Sequence, residues 1–200
     1  MTPKQEKIIE AAIELIAEKG YHNTSTSEIA KKAGVAEGTI FRHYRTKKDL
    51  LVAIVSPVIM KSTVPIMAEK FVNQVFQQPH TSFEELLEIF IRNRFEFVKS
   101  NIPLIRILIQ ELAFHPDIQA SFKEAFLTKI YPAVSKALDF YKNKGEIQQA
   151  LPNETILRMI GPTILGFIVT RFIVQPDKDW DDEAEIQHTV SYIMGGIGTT

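Results

Sequence analysis

Hydroxyl and basic side chains are concentrated in one stretch of the chain, residues 24–50, which reads TSTSEIAKKAGVAEGTIFRHYRTKKDL. Within residues 31–48 six basic residues accompany one acidic residue, Glu37, in a chain whose net charge is −1. Hydroxyls and cations suit contacts with phosphates, and a guanidinium can also bond O6 and N7 of guanine. The stretch is typical of a small nucleic-acid footprint, although a charge run is more often a solvated face.

Residues typical of catalytic or metal centres are sparse. The absence of cysteine excludes disulfides, thiol nucleophiles and cysteine-ligated zinc. The five histidines never fall four residues apart, and carboxylate pairs such as Glu84 and Glu85 lie where the first turn of a helix explains them. The sequence therefore predicts neither an enzyme nor a metal or cofactor site.

The composition is that of an ordinary globular chain: 200 residues, 45% hydrophobic and 24% charged. The first residues lack the apolar core of a signal peptide. The most apolar stretch, residues 156–174, is interrupted by Arg158 and Arg171, and a membrane-spanning helix needs about 20 apolar residues. We expect a cytoplasmic protein without membrane contact, in which this stretch is a buried or interface helix.

Apolar residues recur at helical spacing and strict alternation is nearly absent, so the chain is predicted to be all-α. A first helix over residues 5–19 ends at Gly20, where glycine suits a helix C-terminus. A second short helix begins with a capping box of Ser25 and Glu28.

A third helix is predicted over residues 36–44. A fourth starts near Lys47 and is expected to kink or break at Pro57. Asn153 is a candidate helix cap. The remaining helices are predicted over residues 65–77, 83–100, 103–114, 117–143, 153–175 and 182–195.

The second and third helices are joined at Ala33-Gly34-Val35, which predicts a helix-turn-helix. Glycine is the residue that adopts a left-handed conformation at low cost, so Gly34 supplies the turn. The apolar contacts expected to lock the motif against the first helix are Ile29, Ala30, Val35 and Ile40.

The stretch GVAEGTIFRHYRTKKDL at residues 34–50, preceded by IAKKA and by the isoleucine-rich first helix, resembles the DNA-binding domain of the TetR family of bacterial transcriptional regulators. The resemblance covers residues 8–52. It implies a three-helix DNA-binding domain over residues 1–48, followed over residues 49–200 by a helical bundle that binds ligand and dimerises.

The resemblance implies DNA-contacting residues at the two helix starts, along the recognition helix and at the start of the fourth helix. Arg42 is assigned to base reading, and Lys47 to a phosphate. Phe41 stands where the family often has tyrosine, so a phenol-to-phosphate hydrogen bond is not available. Glu37 would accept from cytosine N4 or tilt away from the groove, and we favour the tilt. The complete predicted set is Ser25, Thr26, Ser27, Thr39, Phe41, Arg42, His43 and Lys47.

The rest of the chain is expected to hold an apolar or amphipathic effector, although aromatics at helical spacing more often belong to a core. The aromatic candidates are Phe90, Phe95, Phe114, Phe126 and Tyr131. The polar candidates are Arg92, Arg94, Arg106, Gln110, Glu111 and His115. The last two helices are expected to form a homodimer interface through Ile160, Ile164, Phe167, Ile168, Ile186, Val190 and Ile193.

The sequence thus predicts a homodimeric repressor that binds double-stranded operator DNA and releases it when a small-molecule effector binds. An activator, or a DNA-binding protein without an effector, remains an alternative of the same class. A helical protein that sequesters small molecules and keeps a vestigial helix-turn-helix is an alternative of another class, and an enzyme is the least favoured.

Overall fold

The computed structural model describes residues 2–55 and 57–198, without the side chains of residues 17, 57–62, 110, 111 and 113. Within these residues the secondary structure is helical apart from one isolated antiparallel bridge, Ile147 to Gly198, so the predicted all-α class is confirmed. The α-helices are α1 (Pro3–Lys19), α2 (Thr26–Ala33), α3 (Glu37–His43), α4 (Lys47–Ile54), α5 (Pro57–Val75), α6 (Phe83–Ser100), α7 (Ile102–Phe114), α8 (Pro116–Ala125), α9 (Tyr131–Asn143), α10 (Asn153–Val169) and α11 (Asp182–Ile197).

Two helical stretches that the sequence predicts as continuous contain π-helical segments. The first segment, Phe126–Ile130, lies between α8 and α9, and the second, Thr170–Val174, extends α10. Pro132 lies in the first turn of α9 and has no backbone N–H to donate, which favours an irregular hydrogen-bonding pattern just before it. The predicted break near Pro57 is confirmed, because α4 ends at Ile54 and α5 begins at Pro57.

Contacts within the chain define two compact units, of which the first comprises residues 1–67 and 99–125. Its core is formed by the apolar faces of α1 to α4 together with Leu104 of α7. The largest fully buried side chains in this core include Ile8, Ile9, Ile29, Ile40, Leu50 and Leu51. The first unit therefore extends beyond residue 48, whereas the boundary predicted between residues 48 and 49 concerns function and stays a prediction.

Gly20 lies very close to Ser100 inside the first unit. It has φ +82°, a backbone conformation that L side chains rarely adopt, and an added Cβ would lie 2.6 Å from Cβ of Ser100. The hydroxyl of Thr24 donates to the Gly20 carbonyl over 2.8 Å. Glycine at position 20 thus lets the end of α1 lie directly against the end of α6.

The second unit comprises residues 68–98 and 126–200. Phe95 is buried between Phe167, which stacks on it at 5.8 Å between ring centroids, and Phe172, at 4.9 Å. Further buried residues on α10 and α11 extend this core: Ile156, Ile164, Ile168, Ile186 and Val190.

Asn153 does not cap α10 as predicted, because the position before the helix is occupied by Pro152. Asn153 is instead the first helical residue. Its amide donates to Oγ of Ser135 at 2.9 Å and to Oδ1 of Asp139 at 2.7 Å, while its oxygen accepts from Lys142 at 2.6 Å. The side chain therefore links α9 to α10.

By length and composition, residues 153–174 form one described segment that could cross a membrane, with mean hydropathy 1.6. A core helix of a folded domain meets the same criterion. Ile156, Ile160, Ile164 and Ile168 of this segment are buried inside the second unit.

Candidate nucleic-acid interface and effector cavity

A tight turn at Gly34 joins α2 to α3. Gly34 has φ +67° and ψ +34°, the left-handed conformation, which costs other L-residues about 1–2 kcal/mol. The amide of Val35 donates to the Ala30 carbonyl at 3.0 Å and closes the turn. The predicted helix-turn-helix is therefore present, with Ile29 and Ile40 buried on its inner side.

The capping box at the start of α2 is also an attachment to α1. Ser25 Oγ accepts from the Glu28 amide at 3.2 Å, and Glu28 Oε2 accepts from the Ser25 amide at 2.9 Å. The other carboxylate oxygen pairs with Lys19, the last residue of α1. The hydrogen bond from Lys19, followed by those from Ser25, lowers the pKa of Glu28 to about 2.

A side-chain hydrogen bond joins α2 to the first turn of α3. Thr26 Oγ1 donates to Glu37 Oε1 at 2.6 Å. The Glu37 carboxylate is thus directed toward α2, and its tilt away from a bound base stays a prediction. Because a hydroxyl has only one proton, Thr26 could contact a phosphate as a donor only after releasing Glu37.

The outer face of α3 presents an aromatic ring and an unpaired cation. The Phe41 side chain is 46% exposed and Arg42 is exposed, while Thr39 and His43 are half-buried. Among the residues that the structure describes, none forms a hydrogen bond or ion pair with the Arg42 guanidinium. Arg42 is therefore available to meet a ligand, and Ser27, on α2, is exposed as well.

Lys47, at the start of α4, contacts the protein rather than extending into solvent. Its ammonium donates to the Tyr21 carbonyl at 2.6 Å and lies 4.1 Å from the centroid of the Tyr21 ring. Burial lowers the pKa of Lys47. The Tyr21 amide in turn donates to Oδ1 of the buried Asn101 at 3.1 Å. Nothing in the sequence indicated this internal contact of Lys47.

The second unit contains a cavity of about 620 Å³, within the range of about 300–1,000 Å³ that is usual for small-molecule sites. Its walls come from residues 76–90, the π-helical segment 126–130, α9 and the first turns of α10. Most of the lining is apolar, and the rings are those of Phe76, Phe83, Phe90, Phe126 and Tyr131. The cavity is partly open, since Phe126 and Leu127 are 40% and 51% exposed.

Comparison with known proteins relates the whole chain to one group of regulators. The family model for bacterial regulatory proteins of the tetR family matches residues 8–54. The fatty acid metabolism regulator protein of Bacillus subtilis (strain 168) is 52% identical over 196 residues, which are 98% of this chain and 96% of that protein. The chain belongs to the TetR family. It is a DNA-binding transcriptional regulator.

Two solved structures share the fold over nearly the whole regulator. The fatty acid degradation regulator FadR from Bacillus halodurans is 26% identical with a TM-score of 0.60, and the match covers 98% of this chain and 97% of that one. FadR from Bacillus subtilis in complex with stearoyl-CoA is 27% identical with a TM-score of 0.58, with coverage of 96% and 98%.

The structure brings three of the five predicted ligand-binding aromatics of the regulator together around the cavity: Phe90, Phe126 and Tyr131. Phe95 does not line it, because its ring is packed between Phe167 and Phe172. Phe114 does not line it either, because it ends α7 in the first unit, where it is 80% exposed.

Two of the polar residues predicted to orient a ligand contact other side chains of the second unit. Arg92 donates to Glu183 at 2.6 Å and to Glu88 at 2.9 Å. Arg94 lies 4.0 Å from the centroid of the Phe71 ring, and burial lowers the pKa of its guanidinium to about 10. Arg106 and His115 belong to the first unit, and the side chains of Gln110 and Glu111 are outside the described residues.

Two charged residues that line the cavity were not predicted from the sequence, namely Glu154 and Arg158. They lie one helical turn apart in the first half of α10. Their spacing from Leu157 and Gly161, which also line the cavity, was the available signal, because residues three, four and seven apart share one helix face.

The residues predicted for the dimer interface lie mostly inside the protomer. Six of the seven are buried, namely Ile160, Ile164, Ile168, Ile186, Val190 and Ile193, and Phe167 stacks on Phe95. Their assignment to an interface stays a prediction, since Ile160 and Ile193 also line a second pocket together with Tyr192. The apolar side chains that α10 and α11 expose are Met159, Leu165 and Tyr192, at 48%, 61% and 75%.

Proposed function

We propose that the regulator is a repressor that releases a pseudo-palindromic operator when a long-chain fatty acyl effector of the acyl-CoA type occupies the cavity of its second unit. The observation that carries the proposal is the apolar cavity of about 620 Å³ in a chain that is 52% identical to a fatty acid metabolism regulator. The stearoyl-CoA complex of a FadR neighbour supports the same class of ligand.

On the DNA side, residues 1–48 act as the binding domain and α3 enters the major groove. We assign base reading to Arg42, which is exposed and has no partner among the described residues. Contact with a thymine methyl or a sugar is assigned to Phe41. Ser27 is assigned to a base, and His43 and Lys47 are assigned to phosphates. The remaining hydroxyls contact phosphates or base edges: Ser25, Thr26 and Thr39. Lys47 and the N-terminus of α4 both favour an anion, and its bond to Tyr21 would then be shared or exchanged.

Two copies are required, because a pseudo-palindromic operator presents two half-sites about 34–36 Å apart in the simplest spacing. We assign the interface to the exposed apolar side chains of α10 and α11, chiefly Leu165 and Tyr192. Gly161 and Gly166 on the same helix are exposed and would allow close approach of a second copy.

Release follows if the effector prefers a conformation whose two recognition helices do not match the half-sites. A ligand shifts such an equilibrium only by its differential affinity for the two states. The regulator thus acts by binding alone, as a cytoplasmic protein without a catalytic step or a cofactor.

The test is an operator-binding experiment with the full-length regulator and DNA from upstream of its own gene. Stearoyl-CoA is expected to release the DNA, whereas coenzyme A without an acyl chain is expected to leave it bound. Ala137 lines the cavity, so Ala137→Trp should fill it and keep DNA bound at stearoyl-CoA concentrations that release the wild type.

The matched control is Lys136→Trp, which adds the same ring at the exposed neighbouring position of α9 and should release DNA like the wild type. Failure of stearoyl-CoA to release the wild-type regulator would contradict the proposed effector class. If stearoyl-CoA released DNA from the Ala137→Trp variant as readily as from the wild type, the proposed site would be contradicted.

A further inference from the structure

One face of α10 brings charge into an apolar cavity. Glu154, Leu157, Arg158 and Gly161 all line the cavity and recur at the spacing of a single helix face. Glu154 and Arg158 are the charged members of the lining among the residues that the structure describes. Both are exposed, so they lie where the cavity meets solvent.

The two charges do not neutralise each other, although their spacing of four residues would allow an ion pair. Glu154 Oε1 instead accepts a hydrogen bond from the Tyr131 hydroxyl at 2.7 Å. This bond lowers the pKa of Glu154 and keeps it ionised. Within the described part of the chain, the Arg158 guanidinium has no hydrogen bond and no ion pair.

Closing the apolar wall of the cavity does not require an arginine at position 158, because an aliphatic side chain would bury more apolar surface at that position. A guanidinium offers five donors in a planar fork that fits the oxygens of a carboxylate or a phosphate. At the solvent side of the cavity it can make these bonds without being fully desolvated. The lining thus has an apolar part suited to a hydrocarbon chain and a cationic edge suited to an anionic group.

We propose that Arg158 binds the anionic head group, a carboxylate or a phosphate, of an amphipathic effector whose hydrocarbon chain fills the cavity. The proposal rests on the proposed function for the chain-binding part. Glu154 opposes the anion by charge, and its hydrogen bond to Tyr131 holds it aside. Arg158 therefore selects for a charged head group, and Glu154 limits the affinity.

The experiment measures binding of stearoyl-CoA, stearate and uncharged 1-octadecanol to the full-length regulator, each below its aggregation concentration. Arg158→Gln should weaken the binding of the anionic ligand by about 10-fold or more, as loss of a charged hydrogen bond does, and leave octadecanol unchanged. Glu154→Gln should strengthen binding of the same anion, since glutamine keeps an acceptor for Tyr131 but removes the negative charge. Lys136→Gln, an exposed cation outside the cavity, is the matched control and should change nothing.

The three ligands distinguish the sources of the anion. If Arg158→Gln loses affinity for stearoyl-CoA alone, Arg158 contacts a phosphate. If it loses affinity for stearate alone, Arg158 contacts a carboxylate. Arg158→Lys, which keeps the charge without the fork, should retain part of the lost affinity. Wild-type affinity of Arg158→Gln for all three ligands would overturn the role of Arg158 while the proposed function stood, whereas a wild type that binds none of them would overturn both.

Discussion

Arg42 and Lys47 are both basic, but their surroundings give them different parts in DNA binding. Arg42 is exposed and unpaired among the described residues, whereas Lys47 is partly buried against Tyr21. We expect Arg42→Ala to cost about 1–3 kcal/mol on the preferred operator and to relax the preference at one base position in each half-site. Fluorescence anisotropy measures the affinity of both proteins for operators that differ at single base positions.

The control is Lys48→Ala, which removes an exposed cation from α4. Lys48 is assigned to no base, so the loss of its positive charge should weaken binding to every sequence by a similar factor. If Arg42→Ala also lowered the affinity for all base variants equally, Arg42 would be a phosphate contact.

At the same scale, the sequence predicted residue types better than their partners. The basic and hydroxyl residues of the motif indicated a nucleic-acid surface, and the family comparison agrees. The bonds from Thr26 to Glu37 and from Lys47 to Tyr21 were not predictable, because they join side chains 11 and 26 residues apart whose approach depends on packing.

At the scale of elements, two glycines with positive φ provide a matched test of the first unit. A Cβ at Gly34 would meet nothing within 4 Å, but a Cβ at Gly20 would meet Ser100 at 2.6 Å. Gly34→Ala should therefore cost about 1–2 kcal/mol for the backbone conformation alone. Gly20→Ala should cost about 1–3 kcal/mol more because the site is overpacked. Urea unfolding measures both, and equal losses would contradict the close approach of α1 and α6.

The link between α1 and α2 through Glu28 should make stability depend on pH. The pKa of Glu28 falls from an ordinary 4.5 to about 2 in the folded protein, so its contribution is complete above pH 4.5 and is lost as the pH falls toward 2. The wild type should be more stable than Glu28→Gln at pH 7, and the difference should shrink across that window.

Urea unfolding of the wild type and Glu28→Gln at several pH values measures the difference. Glu10→Gln, which changes an exposed carboxylate of α1, is the control. A difference between wild type and Glu28→Gln that stayed constant from pH 7 down to pH 2 would show that the carboxylate charge does not hold the two helices together.

Helix starts and stops were predictable where the signal is local. Three predicted helix boundaries depend only on residues within one turn, and the structure confirms them: the end of α1 at Gly20, the capping box of Ser25 and Glu28, and the end of α2 at Gly34. Asn153 was predicted wrongly because its amide bonds to Ser135 and Asp139 on another helix. The π-helical segments were missed because the sequence pattern of an α-helix and of a π-helix is the same over five residues.

At the scale of the whole molecule, the periodicity of α10 and α11 predicted apolar surfaces but not which surface remains exposed. The isoleucine stripe is largely buried within one chain, so the interface is tested at Leu165, an exposed apolar side chain of α10. Leu165→Asp should give monomers at micromolar concentration and should weaken operator binding, because two half-sites must be held together.

Analytical ultracentrifugation measures the oligomeric state. Phe140→Asp, which changes a similarly exposed side chain of α9, is the control and should leave the dimer intact. A wild type that sediments as a monomer, or a Leu165→Asp variant that stays dimeric, would contradict the assigned interface.

The aromatic residues predicted to bind ligand also include both cavity-lining and core residues. Phe90, Phe126 and Tyr131 line the cavity, whereas Phe95 fills the core of the same unit. Helical spacing indicates that an aromatic residue faces inward, but a cavity is a gap left by several helices together. Its position therefore required the assembled fold.

Calorimetry measures whether an acyl effector in the second unit is coupled to DNA release. Stearoyl-CoA is titrated into the regulator alone and into the regulator saturated with operator. Linkage requires the operator to weaken stearoyl-CoA binding by the factor by which stearoyl-CoA weakens operator binding, usually about 5–150-fold. We expect this reciprocal loss of affinity, and an unchanged affinity for stearoyl-CoA in the presence of saturating operator would contradict the coupling.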